Sequence, residues 1–298
     1  MPADRDPGFL LPKILPPEAP AASARASGRA MHVLVTGATG TVGRFVVPAL
    51  AGAGHRVTTL GRAGDLRWSL DAPARLPQAD ALVHLALAHR PGAYRGGEGD
   101  DPAGFRRLNL DGTLRLFDAA GAARIVFLSS RAVYGDQRRG QTLRETDAAT
   151  PDSLYGAVKL AAEQALGRRG ASIRATGVYG GDKWAPLIAA YRAGEPVAPR
   201  AATEIHGADL AAAVLLLLAS DATGAFNASD LLLDRHDLLA RVQRLAGCPH
   251  PPPPRAAGPP PGVMACDRLA ALGWRPGGWP RLDAFLAERI PKDFIQVS

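Results

Sequence analysis

Cysteine is nearly absent: Cys248 and Cys266 are the only two in 298 residues. Two thiols cannot make the disulfide framework of a small secreted domain, and their scarcity points to a reducing cytoplasm. Lysine is scarce too. Only Lys13, Lys159, Lys183 and Lys292 occur, so the net charge of +7 is carried almost entirely by arginine. The arginines are scattered, with no basic run and no interleaved aromatics. That excludes a nucleic-acid surface and leaves a modest positive field that helps anionic ligands approach. Long hydrophobic runs are missing as well. Phe9–Leu15 is broken by Pro12 and Lys13, and the longest apolar run elsewhere, Ala211 to Ala219, has the length of a buried helix. Neither is a membrane span, and no signal-peptide core is present. No His/Cys/Asp cluster has metal-ligand spacing, so no metal is expected.

What the chain does have is organised around Thr36-Gly37-Ala38-Thr39-Gly40-Thr41-Val42-Gly43. The apolar run Met31–Val35 before it reads as a buried strand, and Arg44–Leu50 after it reads as an amphipathic helix. Strand, glycine-rich turn and helix start together open a dinucleotide-binding βαβ unit. Gly37 permits the tight turn, Gly40 lets backbone approach a pyrophosphate, and Gly43 lets the helix pack closely on the strand. The helix N-terminus offers unpaired N–H groups and a positive dipole end to the phosphates. Pro48, inside this helix, predicts a kink or an early end. Residues 1–30, rich in Pro, Ala and Arg without periodicity, read as a disordered leader.

Further short apolar runs follow at 56–60, 81–86, 124–128 and 171–176, alternating with helical stretches at 102–121 and 151–168. This pattern predicts a parallel, doubly wound α/β sheet with ligands at the carboxyl ends of its strands. The Rossmann unit is expected over 31–176, with 205–228 returning to it, and a smaller substrate-binding lobe mainly over 177–298. The proline-rich stretch Pro249–Gly262 reads as a stiff surface connection, and Asp267 as the N-cap of a following helix. At the end of the second strand Gly61-Arg62 stands where an NAD site commonly has a carboxylate for the ribose 2′-hydroxyl. A guanidinium there suits a 2′-phosphate, so NADP is favoured over NAD. Asp65 is close enough to turn inward to the adenosine side.

Tyr155 and Lys159, four residues apart, share a helix face. A phenol is a poor base near neutrality, but a nearby ammonium favours the phenolate. Such a tyrosine takes a proton from an alcohol or gives one to a ketone. Ser130, closing a strand with Ser129, is placed to hydrogen-bond the same substrate oxygen.

At these residues the chain resembles the extended short-chain dehydrogenase/reductase family, also called the NAD-dependent epimerase/dehydratase family. The matching segments are Thr36–Gly43, His84-Leu85-Ala86, Asn109 to Thr113, Ser129 to Gly135, Tyr155–Lys159, Arg174 to Gly180 and Ile205 to Leu210, within roughly residues 31–290. The resemblance implies Ser130, Tyr155 and Lys159 as catalytic residues. It implies Gly37, Gly40, Thr41, Val42, Gly43, Arg62, Asp65, Leu66, Leu85, Ala86, Asn109, Tyr155, Lys159 and Val178 around an NADP or NAD cofactor, and Ser130, Arg131, Gly177 and Arg200 toward the substrate. Departures from the pattern narrow the reading. Family dehydratases place Asp-Glu where this chain has Arg131-Ala132, so the acid and base for water elimination are absent. Sugar-nucleotide enzymes often carry Asn at Gly177, and their longer nucleotide-binding stretch is compressed here into Pro196–Glu204, with Arg200 the one obvious phosphate ligand.

The function expected is an NAD(P)-dependent oxidoreductase acting on a sugar-like or other small carbonyl substrate. An epimerase that recycles its hydride is the alternative, and a non-catalytic dinucleotide sensor the reading from another class. The partner expected is a small molecule, with a homodimer left open and neither nucleic acid nor membrane involved.

Overall fold

The computed structural model describes residues 29–90, 97–121 and 123–290. Nearly all of the expected leader lies outside them. The first strand, β1 (His32–Thr36), is buried along most of its length because it is central: β2 (Arg56–Gly61) flanks it on one side and β4 (Ala81–His84) on the other, both parallel. Helix α1 (Gly43–Gly52) connects β1 to β2. It does not end at Pro48. That residue is exposed, so the Arg44 carbonyl left without an i+4 donor faces water, while Val46 and Leu50 hold the other side of the helix in the core.

Among the strands that the expected array lacks, one lies at the edge beside β2. Two residues, β3 (Leu66–Arg67), pair in parallel with the end of β2 across a link of only four residues, where parallel neighbours normally need a long crossover. Side chains make the link possible. Asp65 Oδ2 accepts from Thr59 N and Thr59 Oγ1 at 2.8 and 2.9 Å, and Thr59 Oγ1 accepts from Asp65 N at 3.0 Å.

Beyond β4 the chain forms α2 (Pro102–Arg106), a π-helical turn over Arg107–Asp111, and α3 (Gly112–Ala119). Strand β5 (Arg124–Ser130) runs into a 3₁₀ turn at Arg131–Tyr134, followed by the two-residue β6 (Thr142–Leu143). Next come α4 (Leu154–Leu166) and β7 (Gly170–Ala175), then β8 (Gly177–Tyr179), α5 (Ala185–Arg192), β9 (Ala201–His206), α6 (Gly207–Leu218) and β10 (Gly224–Ala228). The last elements are β11 (Leu231–Asp234), α7 (Arg235–Ala246), β12 (Val263–Met264), α8 (Asp267–Ala271) and α9 (Gly278–Arg289). Cys266, not Asp267, occupies the cap of α8, and Asp267 is the helix's first residue.

The main sheet is parallel throughout, in the order β10-β7-β5-β4-β1-β2-β3. Strand order reverses between β1 and β4, which opens a crevice at their carboxyl ends. One face of the sheet packs on α1 and α6 through Val46, Leu50, Leu210 and Val214, and the other on α3 and α4 through Leu116, Phe117, Val158 and Ala162. A second sheet, β11-β9-β8, packs with α5, α7 and α9 around Tyr179, Trp184, Tyr191, Leu239 and Leu286. No helix among the described residues is long and apolar enough to cross a membrane.

Candidate active site

The glycine turn sits over the crevice. Gly37 has φ +69°, and a Cβ there would lie 2.8 Å from Ala86 N, so both the backbone sign and the close approach demand glycine. Gly40 N donates to Gly37 O at 3.0 Å and closes the turn. A Cβ at Gly43 would overlap the carbonyl oxygens of Gly37 and Ala38. Gly43 therefore lets the helix start on the turn itself, the turn's carbonyls being the nearest atoms a side chain would meet. No side chain caps α1 at Val42, and no acidic residue occupies its first turn. Arg44 N and Phe45 N bond back to Gly40 O and Val42 O, so the dipole and the N–H groups of the turn ahead of them, flanked by Thr41, are what an anion would meet, and a dinucleotide pyrophosphate fits this cradle.

Beneath the turn lies a buried polar relay absent from the expected site. Leu85 N and Ala86 N both donate to Thr36 Oγ1, at 3.1 and 3.2 Å. The Thr36 hydroxyl is then left to donate to His84 Nδ1, 2.7 Å away. That fixes the imidazole proton on Nε2, which faces Thr113 Oγ1 at 2.9 Å, and Thr113 in turn donates to Asn109 O at 2.7 Å. His84 is fully buried, and burial with the nearby Lys159 charge pushes its pKa down to about 3, so the neutral ring that the relay requires is the stable one. Asn109, in the π-helical turn, clamps Ala88 from both sides: Ala88 N donates to its Oδ1 at 2.7 Å and its Nδ2 donates to Ala88 O at 2.8 Å. Asn109, Leu85 and Ala86 thus form one rigid wall of the crevice.

Ser130 ends β5. Its Oγ accepts from Ala132 N at 3.1 Å, capping the 3₁₀ turn and leaving its hydrogen free to donate outward. Helix α4 starts at a Ser153 cap and comes down directly on that turn, because Gly156 has no side chain: a Cβ there would lie 2.5 Å from Ala132 O. Its neighbour Tyr155 is half-buried and packs with the α3–α4 core. One turn on, Lys159 is 4% exposed, donates to Leu128 O at 2.7 Å and lies 4.7 Å from the centre of the Phe127 ring. Burial brings its pKa down to about 7, against the opposing pull of Glu163. Glu163 continues the same face and meets Arg174 through bonds of 2.7 to 3.1 Å, both side chains being 7% exposed. The glycine contact and the buried lysine thus hold the start of α4, which carries Tyr155 and Lys159, against the end of the strand that carries Ser130.

The other expected residues fall in several places. Arg62 is exposed at the end of β2. Asp65 does not turn inward: its Oδ2 is committed to Thr59, which holds its carboxyl below the usual range. Leu66 lines a cavity of about 360 Å³ at the sheet edge with Leu60, Trp68 and Pro73. Val178 packs on the α1–α6 side of the core. Arg131 is buried and works as a strut, Nε donating to Gly262 O at 3.0 Å and Nη1 to Asp136 at 3.1 Å. This holds the proline-rich stretch against the 3₁₀ turn. Gly177 is exposed just past β7, and Arg200 is exposed just before β9.

The chain is 30% identical over 165 residues to a UDP-glucose 4-epimerase of Yersinia pestis, covering 46% of this chain and 47% of that protein. It is 33% identical over 160 residues to an L-arabinose 1-dehydrogenase (NAD(P)(+)) of Haloferax volcanii, covering 46% and 59%. The matches thus span about half the length of these relatives. The solved structure of MoeE5 in complex with UDP-glucose and NAD superposes with a TM-score of 0.71 at 25% identity, over 86% of this chain and 97% of that one. Residues 33–228 match the model of the NAD dependent epimerase/dehydratase family, and the chain belongs to that family.

Proposed function

We propose that this protein is an NADP-favouring oxidoreductase that moves a hydride to or from a secondary alcohol or ketone of a sugar-like substrate. The observation that carries the reading is the descent of α4 onto the Ser130 turn at Gly156, with Lys159 buried one turn further on. Relatives in the family include enzymes named for sugars and for NAD(P), which supports the cofactor and the substrate class. A bound nicotinamide dinucleotide supplies the hydride acceptor or donor. Its pyrophosphate would sit at the α1 N-terminus, and Arg62 would take a ribose 2′-phosphate.

The protein's own groups handle the proton. Ser130 donates to the substrate oxygen and fixes its position. Tyr155 takes the proton of an alcohol, or returns it to a carbonyl oxygen. Lys159 lends the charge that makes this feasible near neutrality. With its pKa drawn down to about 7, its charge is responsive: a phenolate one turn away raises the lysine's proton affinity while the ammonium lowers that of the phenol. The test is Tyr155→Phe, which removes only the phenolic oxygen. Turnover should fall by about 10²–10⁴ with cofactor titration unchanged. Turnover near wild type with intact binding would overturn the assignment of Tyr155, whereas a wild type that binds the dinucleotide but turns over no carbonyl or alcohol substrate would favour a dinucleotide sensor.

A further inference from the structure

The position beside the reacting centre that carries no side chain is filled from elsewhere. In the β5–β7 register Ser130 stands opposite Ala175, and Gly177 lies two residues, roughly 7 Å, further along. In the parallel β8–β9 register Gly177 faces Glu204. A Cβ on Gly177 would lie 2.7 Å from Glu204 Oε2 and 2.8 Å from Lys183 Nζ, so this pair occupies the space that a side chain at 177 would take. Glu204 is 6% exposed and its Oε2 is held by the Lys183 ammonium. Among the described residues, no protein group donates to its Oε1. Next to Gly177, the Thr176 hydroxyl is also buried without a partner.

A nine-tenths buried carboxylate with one oxygen pinned and the other open, beside an exposed glycine, is incomplete without a donor from outside the chain. We infer that Glu204, held in place by Lys183, is a specificity-determining residue that accepts a hydrogen bond from a hydroxyl group of the sugar-like substrate. The inference rests on the oxidoreductase reading for the position of the reacting centre. A hydroxyl suits the place chemically, since it can donate to Oε1 and accept from the ammonium. Phosphate suits it poorly, because its oxygens would meet the carboxylate at short range. Arg200, whose charge Glu204 feels, is exposed four residues before it, just ahead of β9, and could meet the linked part of a larger substrate.

The experiment measures sugar binding, by saturation-transfer NMR and thermal shift, to the full chain with saturating NADPH. Two sets of probes are used: free aldoses (L-arabinose, D-galactose, D-glucose) and UDP-sugars (UDP-glucose, UDP-galactose). At least one sugar should bind the wild type. Glu204→Gln should weaken it about 10-fold or more while the NADPH affinity stays within twofold, and the rim variant Lys183→Met should act in the same direction. Binding confined to the free aldoses, or shared with the UDP-sugars, identifies the source of the hydroxyl. Unchanged sugar affinity in both variants, or no sugar binding to the wild type, overturns the inference. If a sugar binds in a Glu204-dependent way but is oxidised with neither cofactor, the oxidoreductase reading fails and the role of Glu204 stands.

Discussion

Replacing Gly156 by alanine adds one methyl group at the joint that assembles the site. On an exposed helix this change would stabilise by up to about 1 kcal/mol. Here the new Cβ would stand 2.5 Å from Ala132 O and 3.0 Å from Pro151 Cβ, the first of these about 0.9 Å short of the 3.4 Å at which ordinary contact begins. The oxygen cannot swing aside. It is backbone, in a turn capped by Ser130 and packed through the buried Ala132, Val133 and Tyr134. The relief must come from α4 lifting by most of an ångström, and Tyr155 rides on that first turn. Overpacking of this kind costs about 1–3 kcal/mol, which more than offsets the helical gain, so melting should drop modestly. A 1 Å misplacement of a catalytic group costs about 10²-fold in rate. The expected result for Gly156→Ala is a folded protein with near-normal dinucleotide affinity and turnover reduced about 100-fold, read by steady-state assay alongside a cofactor titration. Turnover within threefold of wild type, with a raised melting temperature, would show that the helix and the Ser130 turn are not in the contact described.

Three further expectations follow from the same geometry. Arg62→Ala should weaken NADP(H) about 10-fold or more and leave NAD(H) unchanged, since it removes a charged contact to the 2′-phosphate alone; equal loss for both cofactors in fluorescence titrations refutes it. His84 is neutral when folded, with its pKa near 3 against 6.5 unfolded, so the unfolded chain binds the extra proton and stability falls as pH drops from about 6.5 toward 3. This residue contributes up to about 1.4 kcal/mol per pH unit there, and urea midpoints of His84→Gln should show a shallower acid slope by that amount. Glu163→Gln leaves the Arg174 guanidinium buried without its counter-charge, at a cost of about 3 kcal/mol; a melting temperature close to wild type contradicts that.

The parts of the site visible in the sequence are those whose geometry is local. The glycine turn needs only its own torsions and a helix start, and Tyr155 and Lys159 need only the pitch of one helix. The strand array was legible because each run is short, apolar and followed by a helix, yet β3 was not. Two residues give no periodicity, and the pairing depends on Asp65 folding back onto Thr59. Pro48 misled in the opposite direction. Its cost is set by which side of the helix it faces, and tertiary packing decides that side.

What the sequence hid is where polar side chains meet each other. His84 reads as one more residue in a buried strand until parallel pairing sets it between Thr36 and α3. Thr36 and Asn109 stand 73 positions apart, yet the relay makes the end of β1, the bend after β4 and the π-helical turn a single unit. That has a chemical consequence. Two bonds of the wall at Leu85–Ala88 end on Thr36, whose hydroxyl hydrogen needs a neutral imidazole as its acceptor, while the ammonium of Lys159 lies near enough to depress the ring's basicity further. A proton added to His84 would remove the acceptor that Thr36 needs and place a second positive charge beside Lys159. Acid should therefore loosen the cofactor wall as His84 gains its proton, while Lys159, with its pKa at about 7, is already fully charged at that pH, so the acidic limb should appear in dinucleotide affinity and not in the charge of Lys159.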